Sequence, residues 1–248
     1  MKIRVAVLGA KGRTGAEVVR ALSQSSDLEV VAQLDIGDSL EELKSSNTEV
    51  IVDFTTPTAV MVNLEFAIKH GIHAVVGTTG FTPERIASLT ALQLSHPEVG
   101  ILIAPNFALG AVLMMEFSKR AAKYFESVEI IELHHPDKVD APSGTSARTA
   151  ELIGQARAQA GIKPAPDATK NPETGARGAE VNGIPIHSLR IRGLVAHQEV
   201  IFGGLGDTLT IRHDSLDRVG YMPGVLLGIR NIKGHPGINL GLEQFLSL

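Results

Sequence analysis

Residues 2–15 read Lys-Ile-Arg-Val-Ala-Val-Leu-Gly-Ala-Lys-Gly-Arg-Thr-Gly, and this stretch decides the fold. Its first half is rich in apolar and β-branched residues, which is the pattern of a strand buried on both faces. Its second half holds three glycines, and a helical pattern follows. Glycines between a strand and a helix let the backbone approach a pyrophosphate, whose charge rests on the first helical amides. The stretch therefore predicts the first turn of a dinucleotide-binding unit.

Strand and helix patterns alternate through the first half of the chain. Pro83 after Thr82 marks a helix start and Gly71 marks a helix end, as these residue types do at those positions. The alternation predicts an α/β fold with a doubly wound, parallel, Rossmann-like sheet. The predicted strands cover residues 2–8, 28–34, 50–54, 72–76 and 100–104.

The second half of the chain has a different pattern of predicted strands and helices. Residues 161–185 contain several prolines and glycines and few large apolar groups, which predicts a long loop. Three β-rich segments follow at hairpin-scale spacing and predict a second, α+β domain with a mixed, largely open sheet. A helix pattern over 216–231 is expected to return to the first domain. We therefore expect a dinucleotide-binding domain of residues 1–107 and 216–248, and a second domain of residues 108–215.

Composition narrows the function classes. The 248 residues carry a net charge of -4 and contain no cysteine. The charge gives no reason to expect a nucleic-acid partner, and the lack of cysteine excludes disulfides and thiolate chemistry. The longest apolar runs are too short to span a bilayer, and a strand that begins at residue 2 leaves no room for a signal peptide. We expect a cytoplasmic protein with no membrane partner.

The glycine loop opens the first candidate site. Its spacing is G-x-x-G-x-x-G rather than the commoner G-x-G-x-x-G, so an ordinary glycine-rich turn is the alternative. Asp35 ends the second strand, where an acid bonds the ribose hydroxyls, and the later strand ends face the same edge of the sheet. The candidate cofactor residues are Gly9, Lys11, Gly12, Arg13, Thr14, Gly15, Asp35, Phe54, Thr55, Gly77, Thr78, Thr79, Ala104, Pro105, Asn106 and Phe107.

The charges of this loop bear on the choice between NADH and NADPH. The carboxylate of Asp35 repels a 2′-phosphate and favours NADH. Lys11 and Arg13 lie beside it and are able to neutralise that phosphate, or else they are solvated loop charges. We predict that NADH is used well and that NADPH is tolerated.

Residues 132–145, Glu-Leu-His-His-Pro-Asp-Lys-Val-Asp-Ala-Pro-Ser-Gly-Thr, form the second candidate site. The amides of Gly144 and Thr145 at a helix start are able to bind a carboxylate. Lys138 adds a positive charge and is able to deliver a proton to an atom generated by hydride addition. Two adjacent strand histidines point to opposite faces and lack a third ligand, so we predict no metal. Ser143 fits a helix N-cap better than a nucleophile.

These motifs together resemble the dihydrodipicolinate reductase family, also called 4-hydroxy-tetrahydrodipicolinate reductases. The resemblance covers nearly the whole chain, and its most specific part is the histidine-lysine segment. It implies an NAD(P)H-dependent oxidoreductase of lysine and diaminopimelate biosynthesis that reduces a cyclic, unsaturated dicarboxylate to tetrahydrodipicolinate. The earlier motifs that carry it are the glycine loop, Asp53-Phe54-Thr55, Gly77-Thr78-Thr79-Gly80-Phe81, Ala104-Pro105-Asn106-Phe107 and residues 132–145. The later motifs are Arg177-Gly178, Arg190, Gly193, His197, Val200-x-Phe202 and Leu209-x-Ile211-x-His213.

The resemblance also implies roles for particular residues. His134 and Lys138 are the implied catalytic pair, and the implied carboxylate-binding residues are His135, Lys138, Gly144 and Thr145. The family forms homotetramers through the sheets of the second domain, which makes that domain the one for substrate binding and oligomerisation.

Two alternatives stand beside this interpretation. Other small-molecule Rossmann dehydrogenases also place a lysine and a histidine near the nicotinamide, but not as His-His-x-x-Lys before a Pro-Ser-Gly-Thr helix start. A non-catalytic NAD(H) sensor would need a DNA-reading module or an interaction helix, and the sequence contains neither a basic patch nor a helix-turn-helix pattern.

Overall fold

The computed structural model describes residues 2–246 of the chain. In chain order the strands are β1 (Ile3–Leu8), β2 (Leu28–Leu34), β3 (Val50–Asp53), β4 (His73–Val76), β5 (Gly100–Ile103), β6 (Ser127–His134), β7 (Ala179–Val181), β8 (Ile184–Arg190), β9 (Ala196–Gly204), β10 (Asp207–Ser215) and β11 (Gly237–Leu240). The α-helices are α1 (Arg13–Ser23), α2 (Glu42–Ser45), α3 (Val60–Lys69), α4 (Pro83–Gln93), α5 (Leu109–Ala121), α6 (Gly144–Gln159) and α7 (Met222–Asn231).

The chain divides into two compact units. Unit 1 comprises Met1–Leu109 and Arg218–Leu248, and unit 2 comprises Gly110–Asp217. The expected domain boundaries at 107 and 215 each lie two residues before the observed ones at 109 and 217. No helix among residues 2–246 is long and apolar enough to cross a membrane.

Unit 1 is built on a six-stranded sheet in the order β11-β5-β4-β3-β1-β2. All of its pairings are parallel, and every residue of β3 and β5 is buried. Short strands that are buried along their whole length need helices on both faces of the sheet. The predicted doubly wound parallel sheet is therefore confirmed.

The C-terminal part of unit 1 differs in two ways from the sequence prediction. The helix expected over 216–231 begins with a 3₁₀ turn, Arg218–Tyr221, and α7 starts only at Met222. Pro223 explains this start, since proline fits the first turn of an α-helix but not its interior. The tail then adds β11, which pairs in parallel with β5. A strand of four residues is too short to be predicted from its sequence pattern.

Unit 2 contains a five-stranded sheet in the order β10-β9-β6-β8-β7. Strands β6 and β8 are parallel and the other pairs are antiparallel, so the predicted mixed sheet is confirmed. Alternate residues of β6 are buried, as expected where one face of a sheet is covered. This strand ends at His134 and carries the histidine-lysine segment beyond it.

The long loop expected over 161–185 is wrong at its C-terminal end. Strands β7 and β8 form a hairpin there, joined by Asn182 and Gly183. Both residues have positive φ, 51° and 77°, which is the backbone of the Asn-Gly hairpin turn. The sequence contained this local signal, but the prolines and glycines before it obscured the short strands.

Candidate functional site

A cavity of about 270 Å³ opens in unit 1 where β3 and β4 end and α1 begins. Eight of the sixteen predicted cofactor residues line it, together with Pro57 and Arg218. The predicted residues on its wall are Gly12, Arg13, Thr14, Phe54, Thr55, Gly77, Thr78 and Thr79.

The glycine loop beside this cavity allows no side chain at two positions. Gly9 has φ of 77°, and a Cβ there would lie 2.5 Å from the Phe54 carbonyl oxygen. A Cβ on Gly15 would lie 2.0 Å from the Gly9 carbonyl oxygen. Gly12 occupies the N-cap of α1 and has no side chain to cap the first amides of the helix. A close-packed turn that leaves helical amides for an anion fits the pyrophosphate of a dinucleotide.

Asp53 organises the strand ends that face the cavity, although its side chain is 0% exposed. Its Oδ1 accepts hydrogen bonds from the Thr55 amide at 3.0 Å and from the Thr78 hydroxyl at 2.6 Å. Its Oδ2 accepts from Asn63 Nδ2 at 2.8 Å. A buried carboxylate is tolerated only when its hydrogen bonds are satisfied, so Asp53 fixes Thr55 and Thr78 relative to each other.

The acid at the end of β2 lies beside the glycine loop, as predicted. Asp35 accepts from the backbone amide of Ile36 at Oδ1 and from that of Lys11 at Oδ2, both at 2.9 Å. These two amides, Ile36 first, hold the pKa of Asp35 below its ordinary value. Asp35 is therefore ionised at neutral pH, while the side chains of Lys11 and Arg13 are exposed beside it.

Residues 104–107 are not among those that line this cavity. Phe107 is buried, and its ring centre lies 5.9 Å from that of Phe54, which lines the cavity. Asn106 Oδ1 accepts from the Ala108 amide and shapes the turn after Ala104 and Pro105. Gly77 leaves the space that the Phe54 ring fills, since a Cβ there would lie 2.0 Å from the ring. These residues hold Phe54 in place.

In unit 2, β6 and the start of α6 bring the second candidate site together. Ser143 is the N-cap of α6, and its Oγ accepts from the Ser146 amide at 3.2 Å, as the sequence predicts. Lys138 Nζ donates to Asp140 Oδ1 at 2.6 Å. His135 and Gly144 are exposed, while Thr145 is half-buried.

Glu132 lies beneath His134 and is 0% exposed. Its Oε2 lies 2.5 Å from Nδ1 of His134, and both of its oxygens accept from Arg190. Burial alone would raise the pKa of Glu132, but hydrogen bonds, that from Arg190 foremost, hold it below the ordinary value. Burial lowers the pKa of His134, and the charges of Lys138 and Arg190 lower it further, against the opposing effect of Glu132. The histidine is therefore neutral at neutral pH.

Asp140 shows how this segment receives a carboxylate. Lys138 is the main cause of its lowered pKa, and the backbone amide of Gly144 adds to the effect. An internal carboxylate is thus stabilised by the same ammonium and helix start that the sequence predicts for a carboxylate of the substrate. A second cavity of about 250 Å³ lies next to this segment, between residues 136–137 and 192–193.

Sequence reasoning assigned no role to Glu132, Arg190, Asp53 or Arg218. Glu132 stands two residues before His134 on one strand, so the alternation of side chains along a strand places both on the same face. This spacing is a signal from which the contact between the two residues could have been predicted. Arg190 is 58 residues away from Glu132, and no local pattern links them.

Comparison with known proteins decides between the alternatives. The family described as dihydrodipicolinate reductase, N-terminus, matches residues 3–107, and its C-terminal counterpart matches residues 110–246. This chain belongs to the dihydrodipicolinate reductase family. As a dihydrodipicolinate reductase family member it is an oxidoreductase that uses NADH or NADPH and acts on a small molecule.

Similar proteins support this family throughout the chain. The 4-hydroxy-tetrahydrodipicolinate reductase of Streptomyces griseus is 60% identical over 247 residues, covering 100% of this chain and 99% of its own. That of Mycolicibacterium smegmatis is 60% identical over 246 residues, covering 99% and 100%. The dipicolinate-bound dihydrodipicolinate reductase from Paenisporosarcina sp. TG-14 superposes with a TM-score of 0.88 at 40% identity, covering 99% of this chain and 100% of its own. The family predicted from the sequence is confirmed.

Proposed function

We propose that this chain reduces 4-hydroxy-tetrahydrodipicolinate to tetrahydrodipicolinate with NADH or NADPH, in the biosynthesis of diaminopimelate and lysine. One observation carries the proposal for the site. His134 and Lys138 lie in a segment whose ammonium and helix start already stabilise the carboxylate of Asp140. The similar proteins bear the name of this reaction, and the solved relative is described as bound to dipicolinate, a related dicarboxylate.

The cofactor is held by unit 1 in this proposal. Gly9, Gly12 and Gly15 give the pyrophosphate a turn free of side chains, and the first amides of α1 face it. Asp35 receives the ribose hydroxyls, with Lys11 and Arg13 beside it for a 2′-phosphate. When bound, the cofactor supplies a hydride to the substrate. Six further predicted residues line the cavity and are proposed to contact the cofactor: Thr14, Phe54, Thr55, Gly77, Thr78 and Thr79. The last four proposed cofactor residues are Ala104, Pro105, Asn106 and Phe107, and the ring of Phe107 packs 5.9 Å from that of Phe54.

The substrate is held by unit 2. A dicarboxylate needs two positively polarised positions, and the segment provides several donors. We assign its carboxylates to His135, Lys138, Gly144 and Thr145, with Lys138 exchanging Asp140 for the substrate. The stabilisation of Asp140 by Lys138 and by the Gly144 amide supports this assignment.

The proton that completes the reduction comes from the catalytic pair, His134 and Lys138. The substrate loses its 4-hydroxyl group as water to give a conjugated ring, and addition of a hydride to that ring leaves it in need of one proton. Imidazole and lysine side chains both serve as positioned proton donors in enzymes, and this segment supplies one of each. Both side chains stand within one short segment, so the donor and the carboxylate-binding groups are positioned together.

We further propose that the protein is a homotetramer assembled through unit 2 and that it acts in the cytoplasm without a nucleic-acid partner. Strand β10 supports the assembly, because it is one of the two outer strands of the sheet among the described residues and runs for nine residues, most of them exposed. A long, unprotected edge strand is a template for pairing with another chain. The lack of cysteine fits a reducing compartment.

The test of this function is cofactor oxidation with 4-hydroxy-tetrahydrodipicolinate generated in the assay. We expect loss of NADH absorbance that requires the substrate and that pyridine-2,6-dicarboxylate inhibits. Saturating cofactor and fresh substrate without oxidation would refute the proposed function. Sedimentation of the purified protein tests the tetramer separately.

A further inference from the structure

Glu132 and Arg190 form a tight pair that the proposed reaction leaves without a role. Arg190 Nη2 donates to Glu132 Oε1 at 2.8 Å, and Nη1 donates to Oε2 at 2.9 Å. The guanidinium is itself fixed, since it also donates to the carbonyl oxygens of Asp140 and Leu189, both at 2.7 Å. A two-pronged contact of this kind fixes the plane of the carboxylate as well as its position.

This fixed carboxylate determines which nitrogen of His134 carries a hydrogen. Oε2 of Glu132 lies 2.5 Å from Nδ1 of His134. An ionised carboxylate only accepts hydrogen bonds, so Nδ1 is the protonated nitrogen of the neutral ring. The other nitrogen, Nε2, is then the one with a lone pair. The same carboxylate accepts from the backbone amide of Ser143 at 3.3 Å, which links the histidine to the start of α6.

We propose that Glu132, clamped by Arg190, is a positioning residue that holds His134 in the Nδ1-protonated tautomer and presents Nε2 to the substrate. The inference rests on the proposed function, because it takes His134 to act on the substrate. A proton taken up at Nε2 gives an imidazolium that the carboxylate stabilises, and its transfer to the substrate restores the same tautomer. The ring therefore completes the cycle without rotation or tautomer exchange.

A second trio on the same strand provides a matched control. Glu129 of β6 accepts from Arg177 Nη2 and lies 2.7 Å from His187 Nε2. Its chemistry is that of a carboxylate between an arginine and a histidine, as at Glu132. Its side chain is 36% exposed, however, and neither of these two contacts involves His134 or the start of α6.

The experiment measures the tautomer directly by two-bond ¹H–¹⁵N spectra of the histidine rings. The chain has nine histidines, and His134→Gln identifies the signal of His134. We expect the wild-type ring to be protonated at Nδ1. Glu132→Gln cannot serve both donors of Arg190 and the imidazole at once, so we expect a shift toward the Nε2-protonated form. We also expect kcat to fall on the order of 100-fold, the lower range for a positioned proton donor. Glu129→Gln is expected to change neither quantity.

A wild-type ring protonated at Nε2, or Glu132→Gln with wild-type kcat, would overturn the positioning role. If Glu132→Gln does not fold, the wild-type spectrum and the variant Arg190→Lys decide instead. Lysine keeps the positive charge of Arg190 but cannot make its two-pronged contact with Glu132, so we expect a lower kcat with normal NADH binding. A wild-type kcat in Arg190→Lys would contradict the positioning role. Full activity of His134→Gln removes the histidine from the proposed function, whereas an inactive His134→Gln beside an active Glu132→Gln overturns only the inference made here.

Discussion

The two candidate sites are each built around a buried carboxylate at a strand end, and the two carboxylates have different partners. Asp53 in unit 1 is satisfied by neutral donors: an amide, hydroxyls and the side chain of Asn63. Glu132 in unit 2 is satisfied by the guanidinium of Arg190 and the imidazole of His134. One arrangement fixes loops, and the other fixes groups that carry charge and exchange protons.

The difference matches the ligands that each unit is proposed to hold. A dinucleotide is bound by backbone amides, and its pyrophosphate must approach the backbone closely, so unit 1 needs glycines and rigid strand ends. A small dianion that must be protonated needs cations and a proton donor, which unit 2 supplies in His134 and Lys138. Variants in the two units should therefore separate cofactor binding from chemistry.

The largest effect is expected for Lys138→Ala. The variant loses both a proton donor and the cation that binds a carboxylate, so we expect kcat to fall by about 10²- to 10⁴-fold. NADH affinity should stay unchanged, because no residue of the glycine loop is altered. Stopped-flow turnover and fluorescence titration of NADH measure the two quantities. Lys170→Ala, an exposed lysine of the 161–185 loop, is the control, and a kcat for Lys138→Ala equal to that control would exclude the lysine from the reaction.

Gly9→Ala is expected to produce the opposite pattern. A Cβ at this position meets the Phe54 carbonyl oxygen and the residue has positive φ, so the loop must distort. Strain of about 2–3 kcal/mol corresponds to NADH affinity weaker by about 30- to 150-fold. Gly37→Ala is the matched control, since its φ is 95° but its Cβ would meet nothing within 4 Å. Equal losses of NADH affinity in the two variants would show that strain alone, not the close approach, matters.

The local parts of both sites were predictable from the sequence. Two short, continuous segments make up these parts: the glycine loop between β1 and α1, and the segment from Glu132 to Thr145. The spacing and the types of the residues within each segment are therefore enough to predict its role. The helix cap at Ser143 followed from the same local reasoning.

The contacts that fix these segments were not predictable, because they join distant parts of the chain. Arg190 reaches Glu132 from β8, and Arg218 reaches the cavity wall from beyond unit 2 in sequence. Neither has a periodic or spacing signal. Strand β11 shows the same limit, since four residues take their structure from pairing with β5 rather than from their own pattern.

A smaller effect is expected for Asp35→Asn, which tests the cofactor preference within unit 1. Removing the carboxylate removes its repulsion of a 2′-phosphate while Lys11 and Arg13 remain. We expect the ratio of kcat/KM for NADPH to that for NADH to rise about tenfold, or about 1.4 kcal/mol. Glu29→Gln makes the same change of charge at an exposed site on β2 and should leave the ratio as it is. An unchanged ratio in Asp35→Asn would show that the acid does not select the cofactor.

The smallest effect compares two helix caps. Ser143 caps α6 and Thr82 caps α4, each accepting from a backbone amide three residues on. Ser143→Ala and Thr82→Ala should each lower the free energy of unfolding by about 1 kcal/mol in urea titrations. Only Ser143→Ala should also raise KM for the dicarboxylate, because only α6 is assigned a carboxylate. A raised KM in both variants would mean that stability rather than the helix start controls substrate binding.

The central claim is that unit 1 binds the cofactor and unit 2 binds the dicarboxylate. It is tested most directly by calorimetric titration of NADH and of pyridine-2,6-dicarboxylate into the wild type, Gly9→Ala and Lys138→Ala. We predict a crossed result. Gly9→Ala weakens NADH and leaves the dicarboxylate, whereas Lys138→Ala weakens the dicarboxylate at least about tenfold and leaves NADH. Loss of both ligands together in Lys138→Ala, or undiminished dicarboxylate binding in it, would contradict the account.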